Sequence, residues 1–185
     1  MKKILATIAA LVITISGIGQ TITHEIGRYK ITITYSDTAD MVVNIRMSHK
    51  SHIILKGNEV ENFVNTLNEI DKKASEWYRI AVNNDIDSLD KEMPINVSKI
   101  NIINDTNTYN ITPKVIFWYK SSFLGIKNFL SIHVRFNTPN NQYPGLIFRG
   151  IDNIKELADF LDIDNLNEII DQYKTDQMIY DEIFN

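Results

Sequence analysis

Between residues 106 and 150 the chain carries Lys114, Lys120, Lys127, Arg135, Arg149 and His133 without a single Asp or Glu. The same stretch holds nine aromatic residues, among them Phe117, Trp118, Tyr119, Phe129 and Tyr143. Cations beside aromatic rings suit recognition: a guanidinium or ammonium holds an anionic group, and an indole stacks on a sugar ring. Lys114, Trp118, Lys120, His133 and Arg135 are the candidate ligand-binding residues. Period-two spacing puts Lys114, Ile116, Trp118 and Lys120 on one face of a strand. It also puts Ser131, His133 and Arg135 on one face of the next strand. The two faces meet only in one pairing register, which the sequence leaves open. The competing expectation is an ordinary outer face of solvated charge, or one covered by the acidic C-terminal helices. Residues 152–185 carry ten acids against Lys155 and Lys174.

Other constellations are weaker. With no cysteine, thiol nucleophiles, iron-sulfur clusters, cysteine zinc sites and disulfides are excluded. There is no glycine-rich phosphate loop, dinucleotide fingerprint, nucleophile elbow or zinc-protease histidine pair. His49 and His52 have a spacing that suits a metal on a helix, but they fall where a loop enters a strand, whose alternation separates them. Asp85 with Asp87, Asp90 with Glu92, and Asp162 with Asp164 could supply acid and base in a sheltered cleft. Their places in polar connections and at helix starts are those of capping residues. No cofactor and no metal are therefore expected.

The elements that must position the candidate face follow from periodicity. Tyr29, Ile31, Ile33 and Tyr35 alternate with polar residues, and so do Met41, Val43, Ile45 and Met47 after a turn at 36–40; His52–Leu55 adds a third strand. Asn58, with Glu61 at capping-box spacing, opens a long helix. Its stripe runs through Val60, Phe63, Val64, Leu67, Ile70, Ala74, Trp77 and Tyr78. Strands are predicted over Val97–Ile103, Thr112–Lys120, Phe129–Phe136 and Leu146–Arg149. Two helices follow, the first starting at Asp152 or Asn153 and the second at Asp164. The expected fold is α+β: an antiparallel sheet of about six to seven strands with one long helix packed on it and two C-terminal helices.

The N-terminus reads as a signal peptide: Lys2 and Lys3, an apolar run from Ile4 to Ile18, then Gly17 and Gly19 placed for cleavage before Gln20. The run is too short for a permanent span, and no later segment is long and apolar enough. Residues 1–19 are the expected signal and 20–185 a single domain, exported to the periplasm or the cell exterior. Its 17 basic against 23 acidic residues give no general attraction to nucleic acid.

The Lys-Lys signal followed by Gln20, the segment Ser75-Glu76-Trp77-Tyr78-Arg79-Ile80-Ala81, and the closing Leu146-Ile147-Phe148-Arg149-Gly150-Ile151-Asp152 together resemble small exported proteins of the kind abundant in Bacteroidota. The resemblance implies residence outside the cytoplasm and brings no activity with it. In that setting Asp37-Thr38-Ala39 and Asp87-Ser88-Leu89 look like acceptors for bacterial O-glycosylation. The leading expectation is an exported, non-enzymatic binding domain whose partner is a glycan or an envelope protein. A small periplasmic hydrolase or sugar-processing enzyme is the first alternative, and a structural envelope or assembly component the second.

Overall fold

The computed structural model describes residues 20–35, 41–139 and 144–184. The signal segment with Gly19, the 36–40 turn with the Asp37 triplet, and 140–143 lie outside the described residues. The described chain is α+β, with antiparallel sheets, one long helix and two C-terminal helices. The first sheet has six strands: β1 (Gln20–Ile26), β2 (Tyr29–Tyr35), β3 (Val42–Arg46), β4 (Ser51–Lys56), β6 (Ile100–Asn104) and β7 (Asn107–Ile111), paired in that order. The second has four, in the order β10 (Gly145–Arg149), β9 (Ile126–Arg135), β8 (Lys114–Phe123) and β5 (Ser88–Glu92).

The alternating segments become strands with one face buried, as the pattern predicts: Tyr29, Ile31, Ile33 and Tyr35 on β2, and Val43 and Ile45 on β3, are buried. Three strands lack that pattern in the sequence. β1 points His24 inward, where it stacks on Phe160 with ring centroids 4.4 Å apart. β5 (Ser-Leu-Asp-Lys-Glu) and β7 (Asn-Thr-Tyr-Asn-Ile) are edge strands with mostly exposed side chains. Only Leu89 on β5, and Tyr109 and Ile111 on β7, pack against the core, too few for a clear alternation, and the backbone of a neighbour recruits both strands. The connection expected over 121–128 is also shorter than its sequence suggests: β8 and β9 run on to a two-residue turn at Leu124 and Gly125.

Helix α1 (Asn58–Asn83) buries the predicted stripe, with Val60, Phe63, Leu67, Ile70 and Ala74 all inaccessible or nearly so. Its start differs from the capping-box expectation. Gly57, at φ 50°, turns the chain into the helix. Glu59, rather than Glu61, reaches back to accept the Lys56 N–H at 2.9 Å. At the other end the Asn84 side chain donates to the Ile80 carbonyl at 2.8 Å, satisfying a terminal acceptor. Helix α2 (Asp152–Leu161) lies beside α1, and α3 (Ile163–Phe184) packs chiefly on α2. Asp162, not Asp164, caps α3, its carboxylate accepting the Asp164 N–H at 3.1 Å.

The inner faces of both sheets and the stripes of α1 and α2 share one hydrophobic core. Burying each large side chain there, such as Phe117, Phe148 or Leu67, contributes about 1.5–3 kcal/mol. Trp77 and Tyr78 of α1 meet Phe117 and Tyr119 of β8 edge-on, at 5.5 and 5.9 Å between centroids. That contact pins the odd-numbered side of β8 to the helix. The even-numbered side, with Lys114, Ile116, Trp118 and Lys120, is thereby turned outward. A second clamp joins the sheets: the Tyr29 hydroxyl donates to the Ile147 carbonyl at 3.1 Å and accepts the Ile147 N–H.

Candidate functional site

The β8–β9 register pairs Lys114 with Arg135, Ile116 with His133, Trp118 with Ser131 and Lys120 with Phe129. Opposite residues of an antiparallel pair point to the same side. The structure therefore brings all five sequence-predicted residues, Lys114, Trp118, Lys120, His133 and Arg135, onto one face. β5 and β10 extend it. One row across the four strands reads Asp90, Trp118, Ser131, Arg149, and the next reads Glu92, Ile116, His133, Ile147. The helices α1 and α2 touch this sheet from its other side, through Phe117, Tyr119 and β10.

Trp118 is half-buried within an aromatic trio. Its ring lies 5.0 Å from Phe123 and 5.3 Å from Phe129, both edge-on, and those two are 5.1 Å apart. The Lys120 ammonium sits 5.4 Å from the indole centroid and 5.6 Å from the Phe123 ring, within cation–π range. An indole held on edge in this way forms part of an apolar platform with a cation at its border, and its position is fixed before any ligand arrives.

The cations are used unequally. Lys114 is paired with Glu92 at 3.2 Å, both groups more than half exposed. Lys120, Arg135 and Arg149 form no ion pair among the described residues. Arg135 donates to His133 Nδ1 at 3.3 Å, and His133 Nε2 lies 2.9 Å from the Ser131 hydroxyl. A guanidinium can only donate, so Nδ1 is the acceptor and the ring proton resides on Nε2. His133 therefore donates to Ser131. A serine nucleophile requires the reverse, a bare imidazole nitrogen facing the hydroxyl and a carboxylate behind it. Burial holds the His133 imidazole below the ordinary histidine value; Arg135 and Arg28 push the same way, and Asp90 opposes them. At neutral pH the centre of the face is an uncharged donor–acceptor chain, with Arg135 and Arg149 beside it and Asp90 and Glu92 on the β5 side.

Five further participants lie outside the predicted set of Lys114, Trp118, Lys120, His133 and Arg135. Asp90 and Glu92 belong to β5, whose polar composition reads as a loop. Ile147 and Arg149 lie on a strand that the sequence does reveal, but their neighbourhood with His133 and Ser131 depends on register alone. Arg28 comes from the β1–β2 turn and donates to the Tyr29 hydroxyl at 3.1 Å. It shares a cavity of about 270 Å³ with Arg149 and Asn153, at the outer edge of β10. The alternation of Ser88, Asp90 and Glu92 is the only sequence signal that could have found β5.

The histidines remote from this face have structural partners. His52 lies 3.0 Å from Asn44 Oδ1, and His49 lies 2.7 Å from the Arg46 guanidinium. No group of three His, Asp or Glu side chains converges as metal ligands among the described residues. No family model, curated protein or solved structure matches the chain.

Proposed function

We propose that the chain is an exported, non-enzymatic binding domain that holds an anionic ligand, a glycan or an envelope protein, on the outer face of the four-stranded sheet. One observation carries the reading: the register gathers a fixed aromatic trio, a neutral serine–histidine pair and three cations without acidic partners on a face turned away from the helices. A charged group on the ligand would be held by Arg135 and Arg149, with its apolar surface against Trp118 and Phe129. The signal-like N-terminus supports export, and an acidic chain with one basic face favours selective over general anion binding.

The test is an array of acidic and neutral glycans together with envelope-protein pull-downs, followed by affinity measurements on Arg135→Ala and Trp118→Ala. Loss of a charge-assisted hydrogen bond predicts about a tenfold drop or more in affinity for Arg135→Ala. The binding should also weaken with added salt. A ligand bound equally well by both variants would place its site elsewhere.

A further inference from the structure

The β8–β9 hairpin turns at Leu124 and Gly125, at φ 50° and 80°, as in a type I′ turn. The first of these places belongs by preference to Asn, Asp or Gly, because a larger side chain crowds the left-handed backbone. Leucine there is strained, and it is also 86% exposed. Two residues on, Ile126 is 53% exposed. Neither side chain belongs to the core. A bulky apolar residue kept at a strained, exposed tip implies a use for the tip itself.

Lys120 and Lys127 flank it, and neither forms an ion pair among the described residues. No acid occurs between residues 106 and 150. Behind the tip stand Phe123, Phe129 and Trp118, already packed together. Beside it an open groove of about 470 Å³ runs from Ile126 and Phe129 to Ile151, with Arg149 and Asp152 at its far end. Directly behind the turn Phe123 pairs with Ile126, and Lys127, Lys120 and Phe129 follow, so rings and lysines mix behind an aliphatic tip, a combination that suits the border between acyl chains and headgroups.

We propose that this hairpin is a membrane-interface finger, whose Leu124 and Ile126 enter the boundary of an anionic lipid surface while Lys120 and Lys127 lie against its phosphates. The occupant is argued from charge and shape. The chain as a whole is acidic, at formal charge −4, so attraction to an anionic surface must be local, and here the tip supplies it. A convex end offering two aliphatic side chains has far less than the roughly 800 Å² per partner that a specific protein interface needs. Insertion of this kind is peripheral and requires no membrane-crossing helix. The proposal goes beyond the sheet-face reading and is tested with Leu124 and Ile126, which lie off that face.

The chain from Gln20 onward contains every element of the described fold and lacks the apolar run of residues 4–18, so it is the form to use. It should co-sediment with vesicles of phosphatidylcholine and phosphatidylglycerol, and weakly with phosphatidylcholine alone. Leu124→Asn should cut partitioning about tenfold while raising the melting temperature, since asparagine suits the left-handed turn. Ile126→Ser should cut partitioning without that gain, and Lys127→Glu should remove the preference for the anionic vesicles. Absence of co-sedimentation, or full partitioning by both Leu124→Asn and Ile126→Ser, would overturn the proposal. So would self-association without vesicles that Leu124→Asn abolishes, which would assign the tip to a second copy of the chain. Glycan or protein binding lost in Arg135→Ala but kept in Leu124→Asn would separate the two sites.

Discussion

Across the six-stranded sheet one outward row reads Thr23, Thr32, Asn44, Ile54, Asn101, Asn110. Across the four-stranded sheet the comparable row is Asp90, Trp118, Ser131, Arg149. Both obey the same alternation, yet the first has committed much of its hydrogen-bonding capacity to neighbouring side chains. Asn110 donates to Asn101 at 2.6 Å, Asn101 donates to Glu59 at 2.7 Å, and Asn44 meets His52 at 3.0 Å. The second keeps guanidiniums and an ammonium without acidic partners, next to half-buried rings. A self-satisfied amide coat and a face with donors in reserve can come from one asparagine- and isoleucine-rich composition. Uncommitted donors, rather than polarity, set the second face apart from the first.

The largest effect that sharpens this contrast comes from giving one face the residue of the other. Trp118→Thr removes an indole packed on two phenyl rings and should lower stability by about 2 kcal/mol. Thr32→Ala on the opposite sheet should stay within about 0.5 kcal/mol. Urea unfolding measures both, and equal costs would erase the distinction between a built platform and a coat.

A smaller effect should appear on acidification, and here the faces should agree. Each carries a histidine held below 6.5 by burial first and then by an arginine: His52 by Arg46, His133 by Arg135. As the pH falls below 6.5 the unfolded chain takes up these protons before the folded one does, so stability is lost over that window and is flat above it. His133→Gln and His52→Gln should each flatten the acid limb of urea midpoints measured on either side of 6.5. An unchanged limb in both would show that other groups govern it.

The smallest expected change is at Glu92. An exposed pair such as Lys114–Glu92 contributes well under about 1 kcal/mol, so Glu92→Gln should barely move the unfolding midpoint. It would, however, free Lys114 and strengthen binding of an anionic ligand at low salt, which titration at two ionic strengths would reveal. A weaker ligand affinity would mean that Glu92 itself contacts the ligand.

The α+β class, the long helix and most strands were legible because their apolar residues repeat at period 3.6 or 2. β1, β5 and β7 were not, since His24, Asp90 and Asn107 sit where burial gives no apolar signal, and pairing is decided by a neighbouring backbone. The five candidate residues were legible as two half-faces. Their union depended on the Trp118–Ser131 register, which a two-residue turn at Leu124 and Gly125 fixes and which residue types alone leave undetermined. Period-two spacing does put Ser131, His133 and Arg135 on one face, but the proton placement on His133 depends on which ring nitrogen meets which neighbour, and that only side-chain geometry gives.

The Tyr29 hydroxyl, which both gives a hydrogen bond to Ile147 and takes one from it, imitates a single rung of a missing neighbour strand. β10 is the last strand of its sheet, and an open strand margin invites another chain to continue the ladder. One phenol, 118 residues away in sequence, occupies the central donor and acceptor of that margin, while Asp90, Lys91 and Glu92 charge the opposite one. A hydroxyl thus guards one margin of this sheet and charge the other, two devices that discourage a further strand from adding to an edge.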